Sequence, residues 1–436
     1  MKFGIFIDLQ LPRPWQEGDE ARLLKEALEQ VELADRIGID YVWVQEHHFL
    51  EEYSHSSAPE VFLAACSQRT KNIRLGHGIA VMSPNFNHPA RIAERLATLD
   101  LISDGRVEWG TGESGSRIEL EAFGVDFVDK RPMWAEALRE TAKMLCMEPY
   151  PGFQGKYFSM PHRNLVPKPL QKPHPPIWAA CSNRDSLKLA AQLGVGALTF
   201  AFVNAEEAKF WVEEYYETFR SECKPIGQAV NPNLAMLTGF MCHEDPDRAM
   251  QLGQEGAQFF AFGLGHYWRD GTHVPGQTDL WDAFKKKPAS TEQQIERNRK
   301  KAGMRGIGSP EQLIENFRAL ETAGVDQLIL LQQSGKYSHE AICASMELFG
   351  KEVLPQFKER EAKRQVEKQE ALAPLIAEIE QNIPPLEPVQ DIPAVEAYPL
   401  IWGKMGGETN PGVPDRRPGM AALWQMQVGG KKGKKK

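Results

Sequence analysis

The chain has 436 residues, of which 42% are hydrophobic and 25% charged, so it has the composition of a globular protein and is long enough to bury a full core. Its net charge of −8 is the wrong sign for a chain whose main partner is nucleic acid, and no apolar run reaches the roughly 18 residues of a membrane helix. Met1-Lys2-Phe3 leads into a strand-like run rather than a signal peptide, which makes the cytoplasm the expected location.

Short apolar runs alternate with stretches of helical period up to about residue 357, the pattern of a parallel α/β protein. "KFGIFID" (2–8) reads as a first strand and 20–39 as a helix with Leu24, Ala27, Leu28, Val31 and Ala34 on one face. "YVWVQE" (41–46) and a helix over 58–70 follow, then "IRLGHGI" (73–79) and a helix over 88–103 with Pro89 in its first turn. "RVEWGTG" (106–112) leads to a helix near 131–146. Four more units start at "PIWAAC" (176–181), "GALTFAF" (196–202), "NLAMLTGFMCH" (233–243) and "DQLILLQ" (326–332). The last is followed by an apolar stripe of Ile342, Met346, Phe349, Val353 and Phe357.

Eight strand–helix units close most economically as a (β/α)8 barrel, the TIM-barrel fold. An open doubly wound sheet is the alternative, but no GxGxxG follows the first strand. Residues 263–307 are too long and aromatic for a plain connection, and read either as a lid over the pocket or as a peripheral excursion. The barrel domain is thus expected over 1–357, a charged helical extension over 358–382, and a mobile Pro/Gly-rich, Lys-ended tail over 383–436, where Trp402 and Trp424 could anchor on a neighbour.

Barrel enzymes work at the C-terminal ends of their strands, where "EHH" (46–48) ends the second. On a strand Glu46 and His48 would share a face and His47 would take the other, so the two histidines are poor co-ligands for one metal. With no HxH, HExxH or CxxC spacing, and with Cys66, Cys146, Cys181, Cys223, Cys242 and Cys343 scattered, neither a metal site nor disulfides are expected. A single histidine suits proton transfer near neutral pH, a role assigned to His47, while His48 could equally bond within the rim. "EWGTGESGS" (108–116) allows backbone to approach a flat or phosphorylated ligand closely. In "CSNRDS" (181–186), Ser182 and Asp185 could cap a helix or leave its N–H groups for a phosphate. Trp109, Phe200, Phe202, His266, Tyr267 and Trp268 could line an apolar pocket or be ordinary core.

"MKFGIFID", "GIDYVWVQEHHF", "HPARIAERLATLDLISDGRVEWGTG", "PIWAACSN" and "AGVDQLILLQQSGKYSHEAICASMELFGKEVLPQF", in that order over residues 1 to about 360, resemble the bacterial luciferase-like flavin monooxygenases. The resemblance implies a (β/α)8 barrel that takes reduced FMN (FMNH2) from a separate NAD(P)H:flavin reductase, reacts it with O2 to a flavin peroxide, and oxygenates a small organic substrate. A homo-oligomer is also implied. His47 aligns with the family's catalytic histidine, and Gly78 and Ile79 with a strand-3 bulge beneath the flavin ring. Arg131, Ser182, Asp185 and Ser186 fall in its phosphate site, and Glu46, Gly110, Thr111, Gly112 and Cys181 complete the implied cofactor-binding set. Luciferase itself differs at Gly112, Glu113 and Cys181, so light emission is not expected, and anion binding would lean on Arg131, Arg184 and backbone N–H groups. Two alternatives remain: a deazaflavin-dependent dehydrogenase on the same fold, and a flavin-binding partner subunit without chemistry. The EHHF stretch and His47 favour the oxygenase.

Overall fold

A computed structural model describes residues 1–200, 202–286 and 304–395. Eight parallel strands close on themselves: β1 (Lys2–Ile7), β2 (Tyr41–Val44), β3 (Arg74–His77), β4 (Val107–Gly112), β5 (Ile177–Cys181), β6 (Gly196–Thr199), β7 (Leu234–Gly239) and β8 (Gln327–Leu331). β8 pairs with β1 and β3 pairs with β4, which completes the expected barrel.

Large and small residues interlock inside the barrel. The indoles of Trp43 and Trp178 meet edge to face at 5.3 Å, and a Cβ at Gly76 would stand only 2.3 Å from the Trp43 ring. The interior is therefore a packed core rather than a pore. On the outer face of β1, Phe3 packs against the surrounding helices and meets the rings of Phe349 and Phe357 at 5.2 Å each. The stripe of Ile342, Met346, Phe349, Val353 and Phe357 is buried throughout. The charged extension is continuous with the barrel's last helix, Leu354–Gln381, whose Lys368 reaches Asp326 below β8 at 2.8 Å. One compact unit spans Met1–Pro388 and a second begins at Val389; Trp402, Trp424 and the tail from 396 lie outside the described residues.

Several local expectations are corrected. Helix Asp19–Ile37 buries Leu23 rather than Leu24, which is 40% exposed, because its inward face runs Leu23, Ala27, Val31 and Ala34. The run 233–243 is two strands: after Phe240 the chain leaves the barrel, and Met241–Cys242 pairs instead with Ile307–Gly308. Residues 147–175 contain an unforeseen hairpin, Tyr150–Gln154 with Ser159–Arg163. Within the insertion, helix Pro246–Gly265 runs into a π-helical turn, His266–Asp270, and a short helix, Leu280–Lys285, while 287–303 lie outside the described residues.

Candidate active site

β2 ends at Val44, so Gln45 to His48 already form the loop above it, and the His47 backbone N–H is pinned to Ser56 O at 2.9 Å. Side chains then fan out to different partners. His48 Nε2 lies 3.2 Å from Glu46 Oε1, while Glu46 also accepts the Val81 N–H and the Asn87 side-chain amide, both at 2.7 Å. Glu46 therefore ties the loops after β2 and β3 together. His47 turns the other way and places Nδ1 3.0 Å from Glu119 Oε1. Among the described residues no group of three His, Cys, Asp or Glu side chains could hold a metal ion.

Glu119 did not figure in the sequence reading. It sits on a short helix, Arg117–Ala122, for which the serine-to-glutamate spacing of Ser116 and Glu119 is a start signal. In the fold the Glu119 carboxylate does not cap that helix. It accepts the Ser114 hydroxyl at 2.7 Å and the His48 backbone N–H at 2.9 Å, and its remaining partner is His47. Burial alone would raise this carboxyl, but the facing charge and hydrogen bond of His47, with those of Ser114 and His48, outweigh it and hold the group below its ordinary value. An ionised carboxylate can only accept, so the Nδ1 of His47 carries the proton it shares. His47 Nε2 makes no hydrogen bond to a described residue, and the side chain keeps 14% of its surface exposed.

Aromatic rings surround that edge. Trp268, from the π-helical turn of the insertion, meets His47 edge-on at 5.4 Å, and Tyr53 meets His47 at 5.6 Å and Trp268 at 5.3 Å. Phe200, Phe202 and Tyr267 join the same apolar cluster, whereas Trp109 is fully buried core. The insertion thus supplies part of the wall over His47, and Glu52, fully buried, holds it down by accepting the backbone N–H groups of Leu280 and Trp281.

On the other side of the mouth the edge of β3 is irregular. Gly76 pairs with Glu108 and Ala80 with Thr111, so four residues advance against three and one is extra, a bulge at Gly78–Ile79. Gly110 is required beside it, since a Cβ there would fall 1.9 Å from the His77 carbonyl oxygen; at Gly112 a Cβ would strike Ile79 at 2.6 Å. Thr111 points away from the mouth, donating its hydroxyl to Trp178 O and accepting from the Trp134 indole.

Beyond β4, Arg131 donates to Glu113 at 2.8 Å, and Lys130 Nζ stands 3.9 Å from the same carboxylate. The Arg131 guanidinium is raised by that hydrogen bond and, more weakly, by Cys181 and Asp185. Helix Arg184–Gln192 begins just after β5. The cap of that helix is Asn183 with Ser186, one residue later than the Ser182–Asp185 pairing considered above. The cap uses the N–H groups of Asn183 and Ser186 and leaves those of Arg184 and Asp185 directed outward. Arg184 itself is drawn to Glu214 at 2.6 Å. Cys181 is sealed, its thiol on Ser186 O and pushed up to about 12 by burial, so its side chain has no access to a ligand.

The mouth thus brings together a histidine held at one ring nitrogen, an aromatic wall and a backbone bulge. The sequence over residues 1–327 matches the luciferase-like monooxygenase family, and the chain belongs to that family, which makes it a flavin-dependent oxidoreductase. A flavin-dependent trigonelline monooxygenase from Acinetobacter baylyi, described as an oxygenase component, is 28% identical over 84% of this chain and 98% of its own length. The FMN-bound oxygenating constituent of 3,6-diketocamphane monooxygenase from Pseudomonas putida superposes with a TM-score of 0.64, over 81% of this chain and 98% of that one at 21% identity. The coenzyme F420-dependent tetrahydromethanopterin reductase of Methanopyrus kandleri has the same barrel, with a TM-score of 0.59 over 82% and 99% of the chains at 22% identity. No helix among the described residues is long and apolar enough to cross a membrane.

Proposed function

We propose that the protein is the oxygenase component of a two-component monooxygenase, using FMNH2 from a separate NAD(P)H:flavin reductase and O2 to oxygenate a small organic substrate. The observation that carries this is His47, whose ring is fixed by Glu119 at Nδ1 and presents Nε2, unpartnered, to an aromatic-walled mouth. A residue with only a structural role would have no need of that free edge.

The residues present fit a reduced flavin. The Gly78–Ile79 bulge, packed against Gly110 and Gly112, would give a backbone floor for a flat ring. Arg131, Ser182 and the free N–H groups of Arg184 and Asp185 would hold the phosphate, with Lys130 beside them. Bound there, the reduced flavin would supply two electrons, so that one oxygen atom enters the substrate and the other leaves as water. His47 Nε2 would hold or return the proton that this exchange requires, while Trp268, Tyr53 and Tyr267 keep water away.

The test is rapid mixing of the protein, loaded with photoreduced FMN, against oxygenated buffer. On the protein, reoxidation should follow a time course distinct from that of free FMNH2. His47→Ala should change the rate at least about tenfold while FMN affinity stays within about threefold. Reoxidation at the free-flavin rate in both proteins, or strong preference for a deazaflavin over FMN, would overturn the proposal.

A further inference from the structure

We infer that Glu119 is the positioning residue for His47, fixing the imidazole in its Nδ1–H form with Nε2 turned to the barrel mouth. The inference rests on the reading of His47 given above and concerns how that ring is kept ready. Glu119 has no exposed side-chain surface. Burying a carboxylate costs several kcal/mol unless charged or hydrogen-bonded partners offset it. A neutral glutamine could accept the His48 N–H through its oxygen and donate its NH2 to the Ser114 hydroxyl, and so tie the loop together without that cost. What a carboxylate adds is acceptors at both oxygens, so that neither one offers the ring an N–H, and a negative charge beside the ring whenever Nε2 takes up a proton.

The surrounding backbone holds Glu119 to this task. Ser114, whose hydroxyl binds Oε2, stands at φ 56, in the left-handed region that non-glycine residues rarely occupy, and its carbonyl is gripped by Lys130 Nζ at 2.9 Å. From the ring side, Tyr53 and Trp268 meet His47 edge-on, which leaves the imidazole little freedom to flip. Each oxygen of Glu119 has a fixed partner, and His47 is the one partner that can change protonation.

The experiment compares Glu119→Gln, Glu119→Ala and wild type by 15N NMR of the histidine rings in the flavin-free protein, then by the reoxidation assay. The His47 signals, assigned through His47→Ala, should show a single Nδ1–H tautomer in the wild type. Glu119→Gln keeps a carbonyl acceptor and should keep the tautomer, yet lose about tenfold or more in the His47-dependent rate because the charge is gone. Glu119→Ala should mix the two tautomers and lose more, with FMN affinity within about threefold in both variants. If Glu119→Ala fails to fold, Ser114→Ala, which frees one carboxylate oxygen, should still broaden the tautomer balance and slow the reaction. An unchanged tautomer in the alanine variant, or a rate that falls only in parallel with flavin affinity, overturns the assignment. Because the NMR readout needs neither flavin nor O2, it decides this point even if the oxygenase reading fails.

Discussion

Replacing Gly115 by alanine tests whether the insertion positions Trp268 against His47. A Cβ at position 115 would stand 2.6 Å from Trp268 Nε1, whereas ordinary contact begins at 3.4 Å, so the indole must retreat by 3.4 − 2.6 = 0.8 Å. What blocks it is the end of a side chain rather than backbone, so the fold should lose less than about 1 kcal/mol, a fall of at most a few degrees in Tm. The functional effect should be larger, because a displacement near 1 Å in a reaction site costs up to about a hundredfold in rate. Flavin reoxidation by O2 in Gly115→Ala should therefore change by about tenfold or more while thermal unfolding barely moves. Wild-type reoxidation kinetics with an unaltered tryptophan emission spectrum would refute the claim that this indole forms the wall. A large loss of Tm would show instead that the loop after β4 depends on Gly115 for folding.

Glu52 should act as the anchor of the insertion. In Glu52→Gln an amide NH2 must face one of the backbone N–H groups of Arg13, Leu280 or Trp281, at a cost of about 1–3 kcal/mol, and hydrogen exchange over 280–285 should quicken accordingly. Exchange unchanged from wild type would remove Glu52 from that role. Asp8, at the end of β1, is completely buried, and burial raises its carboxyl well above the ordinary value despite hydrogen bonds from Gln10 and Gln45. A carboxyl whose folded value is raised favours the fold while protonated, and that contribution is lost as pH climbs from the unfolded aspartate value of about 3.9 through the raised folded value. Asp8→Asn should therefore be the more stable protein near pH 8, and equal Tm values for the two proteins there would contradict it.

The barrel was legible because its signal is repeated. β2 is apolar at every position and buried at every position, and the 342–357 stripe keeps its inward face even through the π-helical turn at Phe349–Val353. Of the candidate site, His47 was visible in the sequence through one short motif, and Gly78–Ile79 and Arg131 were visible only through the family resemblance. Glu119 was not, because its contact is with a residue 72 positions away, and a glutamate three residues after Ser116 looks like a helix start. Trp268 was visible as an aromatic in an insertion, but only the closed barrel brings it over His47. The helix cap at Asn183 rather than Ser182 is a one-residue error that matters, since it decides which N–H groups remain for an anion.

The nine residues 111–119, running from the end of β4, show why the functional groups gather where they do. Gly112 accommodates the Ile79 bulge, Glu113 faces Arg131 and Lys130, Ser114 and Glu119 grip the His47 side, and Gly115 lies under Trp268. The Ile79 bulge, the Glu113–Arg131 pair, His47 and the insertion therefore meet along one turn of chain. A displacement at any of the four must be felt by the other three, because Ser114 in its left-handed conformation leaves the turn few ways to relax. The Glu113 carboxylate pairs with the cations that a phosphate bound there would need, so on the proposed reading phosphate binding would compete for Arg131 next to Ser114. Ser114 also bonds Glu119, so that competition would be felt on the His47 side through a single serine.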